Sequence, residues 1–355
     1  MNAEKMEVTY QFVNYGEDLR PSQGVLILDV GMKTVPGVID HHHSEAEVEC
    51  TASLIAKHPN LVLDHIKQGI AEEKEGALKL RIVTHRLPDF DSISSIFLAL
   101  KLIETGKINP YMEKIAQYAR MVDSSSLPKD INLTCTPYSI LRALFTEIKR
   151  GEEESNLERT REGLKLMSFL YSKSEEGYEI LENKALFSGI DRYGWAVRKA
   201  EDDYFSYLSD ISRARKIIIY LPLTKGRGKK KVDGLVIKNP QSFLLKEWAH
   251  RDRENSPLQK GFGLLVTNFW NKRYILGVDP EKEVNLKGLG DLLNEKETEK
   301  RTKMGKPFTF RWYDGNCPFF NFRIIDSPQD GSKLSQEEIV NTLLFFGQNV
   351  DSKAP

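Results

Sequence analysis

The sequence predicts an α/β fold, with a largely parallel sheet carrying helices on both faces in an N-terminal domain, followed by a smaller α+β domain. Three observations carry that expectation. Short apolar runs alternate with stretches of helical periodicity over the first 145 residues, the rhythm of a parallel sheet whose crossovers are helices. Several of these runs end on Asp or His, at the carboxyl edge where such sheets hold their ligands. Beyond residue 190 the apolar runs are separated by turn residues, which favours antiparallel or mixed pairing.

Val25-Leu26-Ile27-Leu28 reads as a buried strand ending on Asp29, and Val35 to Asp40 as a second. Helical periodicity follows from Cys50 through Ala56 and from Leu61 to Glu73, before a strand from Leu78 to Thr84. Ser92 to Glu104 and Asn109 to Val122 read as helices. From Phe145 to Asp191 the chain is highly charged and mostly helical, opened by Arg150-Gly151-Glu152, with Leu164, Leu166, Leu170 and Ile180 spaced through it. A solvated helical connector is expected there. Strands are expected over Lys216 to Leu223, Gly234 to Lys238, Phe262 to Phe269, Arg273 to Val278, Phe308 to Tyr313 and Phe319 to Ile325. The expected division is residues 1–145, a connector over 146–190, and a second domain over 191–355.

A chain of 355 residues can bury two cores of ordinary size. Its 51 basic side chains cancel 51 acidic ones, so no global charge draws it to nucleic acid or an anionic membrane. Any polyanion has to be met by a local patch. No run of about 18 uncharged apolar residues occurs, and Met1-Asn2-Ala3-Glu4-Lys5 lacks the basic-then-apolar pattern of a signal peptide. A cytoplasmic protein with no membrane partner is expected. Cys50, Cys135 and Cys317, odd in number and far apart, suit reduced structural thiols rather than disulfides or a thiolate zinc site.

Six of the seven histidines, at positions 41, 42, 43, 58, 65 and 85, fall within the first 85 residues, which places the chemistry in the N-terminal domain. One turn after a strand, Thr84-His85-Arg86-Leu87-Pro88-Asp89-Phe90-Asp91-Ser92, holds an imidazole and two carboxylates. A second strand end, Gly37-Val38-Ile39-Asp40-His41-His42-His43, holds an acid and three imidazoles. Carboxylates with neutral imidazoles suit Mn²⁺, Mg²⁺ or related ions, and several anionic ligands allow two cations in one pocket. A phosphoester or phosphoanhydride hydrolysis is the implied reaction. Read for structure alone, Asp89 and Asp91 are also good turn and N-cap residues, and His58 and His65 belong to helical packing.

Asp40-His41-His42 matches the motif that names the DHH phosphoesterase superfamily, and His85-x-x-Pro88-Asp89-x-Asp91-Ser92 resembles that superfamily's first metal-binding motif. Glu49-Cys50-Thr51-Ala52-Ser53 is similar to the Cys-Thr-Ala segment that follows the paired histidines in family II inorganic pyrophosphatases and exopolyphosphatases. The resemblance spans residues 25 to 125. It implies that His85 and Asp89 hold one metal and Asp91 the second, with Asp29 bridging the two. His41 would ligate the second metal, His42 would face the transferred phosphoryl group, and Asp40 would support the histidine pair; Asp123 resembles the last metal-binding aspartate. Two divalent cations are implied as cofactors, Mn²⁺ first, with Mg²⁺ or Co²⁺ as alternatives. The family presents the His-x-x-Pro-Asp-x-Asp motif first and Asp-His-His later, whereas this chain has them reversed, as if circularly permuted. It also lacks the Gly-Gly-Gly-His stretch of nuclease-like relatives.

In the C-terminal half, the basic stretch Lys225 to Lys231 is expected as a hairpin tip, with Lys229 and Lys230 as candidate phosphate contacts. Arg311, beside Trp312 and Tyr313, is a third candidate substrate contact, and Pro240-Gln241-Ser242 and Trp248 to Asp252 are further ones. The expected partner is a phosphorylated small molecule or short nucleotide, long nucleic acid being disfavoured by the neutral charge. Two other readings stand beside the hydrolase: a nucleotide sensor that keeps the metal cage, and a single-strand exonuclease.

Overall fold

The computed structural model describes residues 6–72, 78–149 and 153–349; residues 1–5, together with Glu73, Arg150, Gly151 and Glu152, lie outside them. The chain forms two compact units, residues 1–200 with Cys317–Phe319, and residues 201–316 with 320–355.

The first unit opens with β1 (Met6–Val13), which the sequence reading missed, then β2 (Val25–Leu28), β3 (Thr34–Val35) and β4 (Val38–Ile39). Helices α1 (Thr51–Lys57) and α2 (Asn60–Glu72) lead to β5 (Leu78–His85). After them come α3 (Phe90–Thr105), α4 (Pro110–Asp123), α5 (Pro137–Phe145), α6 (Glu153–Glu175), α7 (Lys184–Ser188) and α8 (Asp191–Arg213), the last running across the division. The sheet order is β1-β5-β2-β4-β3, parallel except for β3. An α/β fold with a largely parallel sheet is therefore present. β2 lies between β5 and β4, so the two motifs stand at the same end of the strands that flank the one ending on Asp29, although their chain order is reversed.

Local chemistry sets the helix ends. Asp89 caps α3 by accepting from Ser92 N, and Gly106 ends it at φ 72°, a left-handed geometry that glycine adopts without a Cβ clash. Asn109 caps α4, with Pro110 in the first turn, where its missing N–H costs nothing. One pleat of the sheet presents Leu26, Leu28, Ile39 and Ile82, all buried, with α1, α3 and α6 packed against strands. The other gathers Val25, Ile27, Val30, Val38 and Val83.

Helix α6 is no connector. Leu166, Met167 and Leu170 are buried, and Gly163 lets the helix close on α3, since a Cβ there would stand 2.6 Å from Ile93 Cγ2. The first unit thus runs through the expected connector to Ala200 instead of ending at residue 145. Its sparse apolar positions misled because small residues, Ser155, Thr160 and Gly163, take much of the buried face.

The second unit carries β6 (Arg215–Pro222), β7 (Lys229–Lys238), α9 (Leu245–Arg251), β8 (Leu264–Phe269), β9 (Arg273–Val278), α10 (Leu289–Lys303), β10 (Ile324–Asp326) and α11 (Gln336–Asn349). Its sheet, β10-β9-β8-β7-β6, is antiparallel except for β7 with β8. Leu289 and Leu293 of α10 and Ile339, Leu343 and Phe346 of α11 pack on one face; Tyr207 and Ile211 of α8 and Leu245 of α9 join a cluster on the other. Two expected strands fail. Between Phe308 and Tyr313 there is only a bridge from Tyr313 to Asp326, and Phe319 to Ile325 is strand only from Ile324. There Trp312 N donates to Asn294 Oδ1 of α10, which takes the backbone away from strand pairing. Lys229 to Lys231 are strand residues rather than a loop tip.

Gly163→Val should cost about 1–3 kcal/mol through overpacking and lower the unfolding midpoint in differential scanning calorimetry; an unchanged midpoint would mean that α6 does not rest on α3.

Candidate metal centre

Strand ends deliver the candidate residues. Asp29 follows β2 with φ 61°, a left-handed turn that an Asp tolerates better than most residues, and its amide donates to Ile39 O. Asp40 follows β4, His85 closes β5, and Asp123 ends α4. The bend between His85 and Asp89 needs a positive φ at Leu87 (57°), and Asn156 of α6 holds it by accepting from Leu87 N at 2.8 Å.

Three overlapping groups result: Asp29, Asp40, His41 and His42; Asp29, His85 and Asp89; His41, Asp91 and Asp123. Within each, one donor atom per residue lies within 4.8 Å of the others. All eight residues expected in the N-terminal site are thereby brought together. Asp29 is common to two groups: Oδ2 is 3.2 Å from His85 Nε2 and Oδ1 is 3.5 Å from His41 Nδ1.

Hydrogen bonds fix the rings. His85 Nδ1 faces the Arg86 carbonyl at 2.8 Å, and a carbonyl only accepts, so Nδ1 carries the proton and Nε2 points at Asp29. His41 Nδ1 meets Thr51 Oγ1 at 3.1 Å while Thr51 donates to Asp29, which turns His41 Nε2 toward Asp123 Oδ2, 3.3 Å away. His42 Nδ1 donates to Asp40 Oδ1 at 2.7 Å, and Asp40 also accepts from the amides of Met32 and His42. Asp91 accepts from Thr51 N and Ala52 N, capping α1 in place of the Cys50 side chain. Thr51, Ser92 and Asn156 are positioning residues. Ser92 was visible only as a motif letter, and its hydroxyl reaches Asp29, Asp89 and His85.

One residue went unnoticed in the sequence. Tyr15, in the turn after β1, stacks on His85 with ring centroids 4.0 Å apart, and its hydroxyl is 2.9 Å from His85 Nε2. The alternation of Val8, Tyr10 and Phe12 is the signal that would have exposed β1 and hence this turn.

Charge decides what the pocket can hold. Among the described ion pairs no Lys or Arg reaches any of the five aspartates, so three imidazoles are their only cationic neighbours. Were all five carboxylates ionised, even three protonated imidazoles would leave two negative charges uncompensated, and unbalanced buried charge is costly. The strain is visible in the acids and bases themselves. Burial pushes Asp91 well above the carboxylate range, aided by the charges of Asp29 and Asp123. Burial alone would depress the imidazoles, yet Asp40 and then Asp29 hold His42 at about 9, and hydrogen bonds to Asp29 and Asp89 hold His85 at about 10. His41 is raised too, burial and the His42 charge being outweighed by Asp123 and Asp29. Burial is likewise outweighed at Asp40, kept well below the carboxylate range by the His42 charge and hydrogen bond. Burial and the charges of Asp91 and Asp123 push the Cys50 thiol well up, so it offers no thiolate. Oxygen and imidazole donors with surplus negative charge fit divalent cations.

The second unit's candidates are placed differently. Lys229 Nζ donates to Gln348 O at 2.8 Å, and Lys230 Nζ lies 3.8 Å from Glu283, while Arg311 is exposed. No described helix is long and apolar enough to cross a membrane.

An ion taking His85 has to displace a proton held up to about 10. Mn²⁺ affinity, measured by calorimetry, should therefore rise with pH from neutrality, about tenfold per unit for each proton released; a flat profile would mean that the imidazoles are not ligands. In chelator the sign for stability is opposite. Imidazoles raised from 6.5 stabilise the fold fully below pH 6.5, and that contribution fades as pH climbs through 9 to 10, so the melting temperature should fall across that window.

No protein-family model matches the sequence and no curated protein does, so what the centre can do rests on its own residues.

Proposed function

We propose that the chain is a metal-dependent phosphohydrolase of the DHH type, cleaving a phosphoester or phosphoanhydride. The observation that carries this reading is Asp29, a buried carboxylate whose two oxygens face His85 on one side and His41 on the other. Asp29, His85 and Asp89 would hold one divalent cation; His41, Asp91 and Asp123, again with Asp29, would hold the second. Mn²⁺ suits the mixed oxygen and nitrogen donors, with Mg²⁺ or Co²⁺ as alternatives. A pair of such ions supplies Lewis acidity toward a phosphoryl oxygen and makes water a nucleophile at neutral pH.

The rest is done by the protein. His42, its ring held by Asp40 through Nδ1, can present a proton to a phosphoryl oxygen or donate to a leaving group. Asp40, buried behind it, fixes the ring by the Nδ1 hydrogen bond and balances its charge. Thr51 and Ser92 orient the imidazoles of His41 and His85, so neither ring has to reorganise as charge moves. The proposed substrates are phosphorylated small molecules or short nucleotides.

With Mn²⁺, wild type should hydrolyse at least one of pyrophosphate, polyphosphate, a dinucleotide or a short single strand, and bind two ions per chain by elemental analysis. Asp29→Asn should lose both metal and turnover. Asp40→Asn should keep the metal and lose kcat by about 10- to 100-fold, the usual effect of removing an outer hydrogen bond. Wild type and Asp29→Asn equally inactive on every substrate, with no metal bound by either, would sink the reading.

A further inference from the structure

We infer that the groove between α10 and α11 is a binding site for a mononucleotide, with Lys296 and Lys303 taking the phosphate and Phe345 the base. The inference is independent of the metal reading, since every residue that lines the groove belongs to the second unit. The groove has a volume of about 360 Å³, within the range of small-molecule sites.

Each helix supplies one wall. Lys296, Lys300 and Lys303 recur at i, i+4 and i+7 on α10, a spacing that sets side chains along one stripe. Glu338, Asn341 and Phe345 recur at i, i+3 and i+7 on α11 and form the facing stripe. Leu289 and Leu293 of one helix share a buried core with Ile339 and Leu343 of the other, which holds the two stripes at a fixed separation.

The charge in the groove is unequally spent. Lys300 Nζ donates to Glu338 Oε1 at 2.7 Å, and Ser335 N donates to Oε2 at 2.7 Å, so that carboxylate is already answered. Lys296 and Lys303 are exposed and enter none of the described hydrogen bonds or ion pairs, although Glu299 stands three and four residues away, at spacings where helical pairs form. Three ammonium groups against two carboxylates leave a surplus of positive charge in the lining. The Asn341 amide, also exposed and outside the described hydrogen bonds, adds a neutral donor.

An inorganic anion would have no use for the apolar part of that lining. Leu334 is buried, while Phe345, one turn beyond Asn341 on the same stripe, is 55 % exposed. A large ring left in water on the wall of a basic groove offers a stacking face that any nucleobase fits. A nucleoside monophosphate carries both complements, a phosphate and a flat ring, on one small frame.

Calorimetric titration of the full chain in chelator, which keeps the metal centre empty, separates this groove from that centre. Adenosine monophosphate should bind, more weakly as salt rises, and inorganic phosphate should bind at least about tenfold less tightly. Phe345→Ala should weaken the nucleotide about fivefold to hundredfold, the worth of one stacked base, and leave phosphate binding as it was. The double variant Lys296→Gln, Lys303→Gln should weaken both ligands about threefold to tenfold. All three side chains are exposed, so the melting temperatures should match wild type. Phosphate bound as tightly as the nucleotide would overturn the assignment, as would nucleotide binding that either substitution leaves unchanged, or no nucleotide binding at all.

Discussion

The first unit depends on a balance of charge at one end of its parallel sheet. Five aspartates converge there with three imidazoles as their only described cationic neighbours, three of the acids being almost wholly buried. A low-dielectric pocket makes each repulsion expensive, and each device around it offsets part of that cost. Asp91 draws on the N-terminus of α1, whose first amides point at it. Asp40 is met by two amides and an imidazole, and Asp29 by two hydroxyls. What remains is the surplus that a pair of cations would neutralise.

Holding such groups in place takes backbone conformations that the chain does not adopt freely. Asp29 and Leu87 both lie at positive φ, each beside a residue whose direction matters to the pocket. Asn156 secures the second of these bends from α6, so a helix that looks like a spacer in the sequence reaches the centre through one side-chain amide. Packing of α6 on α3 and the aim of His85 are parts of one arrangement.

How much of this was legible follows from what each segment asks of its residues. β2, β4 and β5 end in acids and imidazoles, and such a group at a strand end is conspicuous against an apolar run; Asp29, Asp40, His41, His42 and His85 were readable for that reason, whereas Asp89, Asp91 and Asp123 lie at helix ends and were legible only through the motifs they resemble. β1 carries its apolar residues singly, at Val8, Tyr10 and Phe12, and so lacks the continuous apolar run that marks β2; its alternation is the one sign of it, and Tyr15 went unnoticed with it. α10 was missed for a different reason. Leu289 and Leu293 are followed on the same face by Glu297 and Arg301, both buried and joined to each other at 2.8 Å, so charges occupy turns where an apolar stripe would have shown. Arg301 also meets Asp330, and Glu297 accepts from Ser332 and Lys333 N, partners far away in the chain that no local pattern discloses. The failure at Phe308 to Tyr313 has the same origin, a backbone amide committed to Asn294.

The pairing of β1 with β5 bears on how the chain acquires its shape. Met6 meets Leu78, about seventy residues downstream, and among the described residues β1 is an edge strand paired with β5 alone. During synthesis β1 must therefore wait until β5 has left the ribosome. Tyr15 can be laid over His85 only after that long loop has closed, so the outer wall of the centre depends on a pairing that no local segment makes alone.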